Sequence, residues 1–210
     1  MTNTIILEPQ SIKNNYPNPL CLVFHGNDSN PQAHAEFWRP LSKSGWLVAL
    51  PQSSRAGEQP NTFIWNTPGL AEWNFQEVQN CLTEIKQTHI IDLSKIILAG
   101  FSMGGGLAIE MVLGGHIAAL GFVVVAPYIP YKYVDPQSAY ADFVKTQAKR
   151  GYCIVGEQDS FAVEGTSALA FRLPNIGISC FVERHSGLEH DYPSDFEKSL
   201  SKAVEYVSSK

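Results

Sequence analysis

The sequence predicts an α/β protein with one mostly parallel sheet of about 6–7 strands and helices on both faces. Three observations predict it. Short runs of branched apolar residues recur along the chain and stop at turn-forming residues, as strands buried on both faces do. Segments whose apolar residues are spaced three and four apart lie between those runs, which is helical spacing. The two kinds alternate along nearly the whole chain, and right-handed crossovers then make neighbouring strands parallel. With 210 residues, 44% of them hydrophobic, residues 1–210 are expected to form a single domain with a well-developed core.

Each element has its own reason. Thr4 to Leu7 reads as a short edge strand, and Leu20 to Phe24 as a buried one that ends in the turn formers His25-Gly26-Asn27-Asp28-Ser29-Asn30. Pro31 to Ser44 is expected as a helix, kinked or restarted at Pro40 and ended by Gly45. Trp46 to Leu50 is the next strand. Residues 51–69 have no period and contain Pro51, Pro60 and Pro68; a loop of this length inside a compact domain is more often functional than idle. Ala71, Phe75, Val78, Leu82 and Ile85 make one narrow apolar helix face.

The run from Lys95 to Ala99 leads into Gly100-Phe101-Ser102-Met103-Gly104, and Leu107, Ala108, Met111 and Val112 then share a helix face that Gly114-Gly115 closes. Gly121 to Ala126 is another buried strand, ending at Pro127-Tyr128-Ile129-Pro130. Asp135-Pro136 suits the cap and first turn of a helix reaching about Lys149. Gly151 to Val155 is a strand, Thr166 to Leu173 a weaker helix, and Ile178 to Val182 the last strand. Ser194 and Glu197 make a capping box for a terminal helix that buries Phe196, Leu200, Ala203, Val204 and Val207.

Composition narrows the function classes. The net charge is −5 with no run of like charge, so a nucleic-acid partner, which needs clustered Lys and Arg, is not expected. No apolar run approaches a membrane span, and Met1 to Glu8 lacks the pattern of a signal peptide. Cys21, Cys81, Cys153 and Cys180 are scattered, with three in apparent strands, which reads as buried packing in a reducing compartment and places the protein in the cytoplasm.

The chemistry centres on Ser102. Strand, sharp turn and helix around a Gly-x-Ser-x-Gly pentapeptide make a nucleophile elbow, in which the flanking glycines let the segments approach. A serine hydroxyl needs a base, and the base needs an orienting acid. Both partners should lie in loops after strands, in the order serine, acid, histidine. The acid candidates are Asp159 and Glu157, with Asp159 favoured because its position past Gly156 lets the turn carry it back over the sheet. The favoured base is His190, in the Gly187-Leu188-Glu189-His190 loop, with His185 as the alternative. His25 is read as holding its loop, and His34, His89 and His116 as surface or packing residues. An oxyanion needs two backbone N–H donors. Met103 would supply one, at a helix start whose dipole favours negative charge. Asn27, with Gly26 as runner-up, would supply the other.

Taken together, Val23-Phe24-His25-Gly26, Leu50-Pro51-Gln52-Ser53-Ser54, the Ser102 elbow, Tyr128-Ile129-Pro130, Gly156-Glu157-Gln158-Asp159 and Gly187 to Pro193 resemble an α/β-hydrolase of the compact phospholipase/carboxylesterase type. The chain is also similar to dienelactone-hydrolase-like proteins, which use cysteine where this sequence has Ser102. The family's Leu-Gly-Asp-like continuation after His-Gly is here Asn27-Asp28-Ser29. The resemblance covers nearly the whole chain and implies hydrolysis of small-molecule carboxylic esters or thioesters, without metal or organic cofactor and with no large cap. A non-catalytic binding protein on this fold, or another triad enzyme such as a peptidase, acyltransferase or lyase, is the alternative. Phe63-Ile64-Trp65 must be placed somewhere; either it plugs the 51–69 loop onto the core, or Trp65 walls an open pocket suited to short acyl chains.

Overall fold

A computed structural model describes residues 3–10, 16–65, 71–135 and 149–209. Strands β1 (Thr4–Leu7), β2 (Asn18–Phe24), β3 (Leu47–Pro51), β4 (Ile91–Phe101), β5 (Gly121–Val125), β6 (Arg150–Gly156) and β7 (Ser179–His185) form one seven-stranded sheet. Their order is β1-β3-β2-β4-β5-β6-β7, with β1 antiparallel to β3 and every other pairing parallel. Helices α1 (Pro31–Lys43), α2 (Ala71–Thr88), α3 (Met103–Leu113), α4 (Ser160–Arg172) and α5 (Phe196–Ser208) cover both faces. No helix of the described residues is long and apolar enough to cross a membrane.

Side chains alternate along a strand, so each central strand feeds two cores. Leu20, Leu22 and Phe24 of β2 meet Val78 and Ile85 of α2 and Leu107 and Met111 of α3 on one face. Cys21 and Val23 face the other way, against Trp38 and Leu41 of α1 and Phe196, Leu200 and Val207 of α5. Full burial of each such side chain contributes roughly 1.5–3 kcal/mol. β4 therefore sits between two packed layers, and its carboxyl end is held at the centre of the sheet.

Some boundaries differ from expectation. Pro40 lies inside α1 without ending it, because Trp38 and Leu41 on either side are buried in the core and hold the helix there. α4 begins at Ser160, well before Thr166, because the Asp159 carboxylate accepts the Ala162 N–H and starts the helix. The Ser194–Glu197 capping box is not formed: α5 starts at Phe196 with Asp195 at the cap, since the chain already turns with Phe196 N–H donating to Pro193 O. Residues 136–148 of the helix expected from Asp135 to Lys149, and residues 66–69 of the 51–69 loop, lie outside the described residues.

Candidate active site

β4 ends at Phe101 and α3 begins at Met103, leaving Ser102 alone at the turn with φ 52° and ψ −116°. A side chain at positive φ is strained and persists only where its surroundings hold it. Here Ser102 N–H donates to Val125 O (2.9 Å), while Ser102 O accepts from Tyr128 N–H (2.9 Å) and Gly106 N–H (3.1 Å). The first turn of α3 is pressed onto the end of β2. A Cβ at Gly104 would stand 2.2 Å from Phe24 O and 2.4 Å from His25 O, so only glycine permits this approach.

Two loops bring partners to the serine. Asp159 follows β6 and His190 follows β7, and the structure places both beside Ser102. His190 Nδ1 lies 2.5 Å from Asp159 Oδ2, and His190 Nε2 lies 2.9 Å from Ser102 Oγ. A carboxylate only accepts, so the imidazole carries its proton on Nδ1 and Nε2 is free to accept the serine O–H. The Asp159 side chain is 8% exposed, whereas that of His190 is 48% exposed and open to water. Gln158 N–H donates to Leu188 O and Glu157 N–H to His185 O, which ties the acid loop to the histidine loop. A Cβ at Gly156 would meet Leu188 O at 2.1 Å, so that crossing also needs glycine. Edge-on packing of Phe101 on the His190 ring, at 5.1 Å between centroids, steadies the imidazole from below.

The alternatives point elsewhere. Glu157 is exposed, and the His185 ring lies near Glu183, Asp195 and Ser199 at the α5 side of the sheet. His25 is buried with Nδ1–H donating to Gly26 O (2.8 Å) and Nε2 accepting Ser53 N–H (3.2 Å). Burial lowers its pKa from 6.5 to about 4, so it is neutral and clamps the β2 loop to the β3 loop. Gly26 is the residue of that loop that packs beside Ser102, a Cβ there lying 3.7 Å from Ser102 Cβ. The Gly26 N–H reaches His34 Nε2 at 3.4 Å, while Asn27, next in the chain, is exposed.

His34 is a residue that periodicity on α1 does not reveal. Its Nε2 accepts from Gly26 N–H and Ser29 Oγ, and its Nδ1–H donates to Tyr192 Oη at 2.9 Å. Trp38 Nε1–H donates to the same oxygen at 3.2 Å. The imidazole is buried and its pKa also falls to about 4, first from burial and then from neighbouring His25. One α1 side chain thus ties the loop after β2 to the segment carrying His190. Only its distant partners identify it.

The pocket-wall expectation for Trp65 does not hold. Trp65 is 1% exposed, packed edge-on against Phe24 (5.5 Å) and tilted against His25 (5.0 Å). The loop is pulled inward by Phe63 pairing with Ser29, by Ser53 Oγ–H donating to Ile64 O, and by the Asp28 carboxylate, which accepts from Glu58 N–H and Thr62 Oγ1. The indole therefore plugs the core and has no face left for a substrate. A cavity of about 470 Å³ lies further along the sheet, lined by Ser54, Trp73, Gln76 and Glu84 among others, and none of Ser102, Asp159 and His190 lines it. Among the described residues no group of three His, Cys, Asp or Glu side chains could hold a metal.

No protein-family model matches the sequence. Over 90 residues, 41% of this chain, it is 35% identical to the bifunctional acetylxylan esterase/xylanase XynS20E of Neocallimastix patriciarum, a stretch that is 12% of that protein. Its fold is similar to that of an uncharacterized protein from Bacillus cereus ATCC 10987 (24% identity, TM-score 0.81), covering 96% of this chain and 63% of that one. The chain thus spans less than two thirds of both proteins. It is also similar to esterase PE8 (18% identity, TM-score 0.78), covering 98% of this chain and 99% of the other.

Proposed function

The chain has the α/β-hydrolase fold, and on that scaffold we propose that it is a serine hydrolase cleaving carboxylic esters through an acyl-enzyme. The observation that carries the reading is the position of His190, within hydrogen-bond reach of Asp159 on one nitrogen and of Ser102 on the other. The esterase names among the similar proteins support it.

In the proposed mechanism Ser102 Oγ attacks the ester carbonyl as its proton passes to His190 Nε2. Asp159 accepts the Nδ1–H and stabilises the imidazolium. The N–H groups of Met103 and Asn27 are the proposed donors to the oxyanion; Met103 opens α3, and the first turn of a helix leaves its N–H groups free of intrahelical partners. Collapse of the tetrahedral species breaks the bond to the alcohol, which leaves with the proton from Nε2. Water then attacks the acyl-enzyme as His190 takes its proton, and that proton returns to Ser102 Oγ as the acyl bond breaks and the acid is released. A thioester would undergo the same steps with a thiol leaving. A cytoplasmic site of action belongs to the proposal, supported by four free cysteines.

A fluorophosphonate probe tests the reading, because it reacts with activated serines. Wild-type protein should be labelled and should hydrolyse p-nitrophenyl acetate, and Ser102→Ala should do neither while keeping its melting temperature. Labelling that survives Ser102→Ala would place the nucleophile elsewhere.

A further inference from the structure

We propose that Tyr128 and Phe161 form a platform beside Ser102 that binds an aromatic ring of the substrate, so that esters bearing an aryl group are preferred over aliphatic ones. The proposal rests on the serine-hydrolase reading and names a substrate class for it.

Both residues are fixed to the reacting groups by backbone. Tyr128 N–H donates to Ser102 O, and Phe161 follows Asp159 on the first turn of α4. Their rings lie 5.7 Å apart at 20° to one another. Phe161 is 61% exposed and Tyr128 is half-buried, so the pair offers a ligand an open aromatic surface.

The arrangement is built into α4. Gly165 is one turn beyond Phe161 on the same helix face, and a Cβ there would meet Ile129 Cγ1 at 2.9 Å. Glycine at that place lets α4 lie close on the 127–130 segment, which brings the two rings together. The rings stack on one another, so a ligand meets the outer faces and edges of the pair, where another ring gains by offset or edge-on contact. Ile129 and Pro130, next in the chain, are apolar and buried.

The test compares kcat/KM for methyl 3-phenylpropanoate and benzyl acetate, with the ring on the acyl or the alcohol side, against methyl acetate and methyl octanoate. Wild-type protein should prefer at least one ring-bearing ester to both aliphatic ones. Phe161→Ala and Phe161→Leu should each lower that ester's ratio to methyl acetate by about 3–10-fold, and Phe161→Trp should retain it. If Phe161→Leu keeps the ratio, the contact is apolar and not aromatic, and the proposal fails. Equal losses on all four esters would also overturn it, since the change would then act through Asp159. Should wild-type protein cleave no ester and take no fluorophosphonate label, the serine-hydrolase reading fails first. The platform is then judged without turnover, from saturation-transfer NMR of 3-phenylpropanoate with Ser102→Ala protein. Signal that disappears when Phe161→Ala is added supports the platform, and signal that is absent or unchanged overturns it.

Discussion

Asp159 meets His190 with one carboxylate oxygen and caps a helix with the other: Oδ2 lies 2.5 Å from His190 Nδ1, and Oδ1 accepts Ala162 N–H at 3.1 Å. The helix cap fixes the direction in which the remaining oxygen faces. Asparagine keeps the capping oxygen but puts an amide, a donor, opposite Nδ1, which forces the wrong imidazole tautomer. Asp159→Asn should therefore lower kcat on p-nitrophenyl acetate by roughly 10⁴-fold with nearly unchanged stability. Asp159→Ala removes the cap as well and should cost a further ~1 kcal/mol, seen as a melting temperature lower by about 2–4 °C. Equal melting temperatures for the two variants would mean that the cap contributes nothing.

His190→Ala should remove turnover as fully as Ser102→Ala, because no other imidazole is bonded to the hydroxyl. His185→Ala should leave kcat nearly unchanged, since its ring lies away from Ser102, and lower stability slightly through its Ser199 and Glu183 neighbours. Turnover kept by His190→Ala and lost by His185→Ala would reverse the assignment.

The buried histidines set a pH dependence of stability. In the unfolded chain His25 and His34 take up protons near pH 6.5, and in the folded protein only near 4. Between those values the unfolded state binds more protons, so stability falls as the pH drops from about 6.5 to 4 and is independent of these two groups above it. Each accounts for up to roughly 3 kcal/mol. Urea unfolding at pH 7, 6, 5 and 4.5 should show the fall, and His34→Gln should make it shallower while leaving the part due to His25. A flat wild-type profile over that window would contradict the buried, neutral assignment.

Trp65→Ala should lower stability by about 3–5 kcal/mol and leave the ratio of acetate to octanoate ester specificity within about twofold. Trp65→Phe should be much milder, because among the described residues the indole N–H has no hydrogen-bond partner to lose. Thermal unfolding and ester profiling on the same preparations decide it: a changed ratio at constant melting temperature would return Trp65 to the substrate pocket.

How legible each residue is in the sequence depends on the range of its interactions. The elbow at Ser102 is a local constraint, since strand, turn and helix leave their marks within a dozen neighbouring positions. Asp159 and His190 are legible because strand ends are, and the site gathers residues just past those ends. The start of α4 is harder to read, because an acid for His190 and a helix cap look like alternative roles for Asp159, whereas its two oxygens meet both partners, and Gly165 weakens the helical pattern behind it. Trp65 cannot be placed from its neighbours, because its burial depends on Phe24 and His25, brought together by the fold. His34 looks like an ordinary helix residue for the same reason, since its partner Tyr192 is on the far side of the chain.

That last pair has a consequence for how the molecule opens. Because His34 holds Gly26 through one nitrogen and Tyr192 through the other, the loops on either side of the serine are fastened to one helix. Amide exchange in the two loops should then share a single opening free energy and respond together to denaturant, as members of one cooperative unit do. A thermal fluctuation that undocks α1 would take this shared fastening from both loops at once. Loss of activity on warming should accordingly track the undocking of that helix, ahead of the collapse of the sheet beneath it.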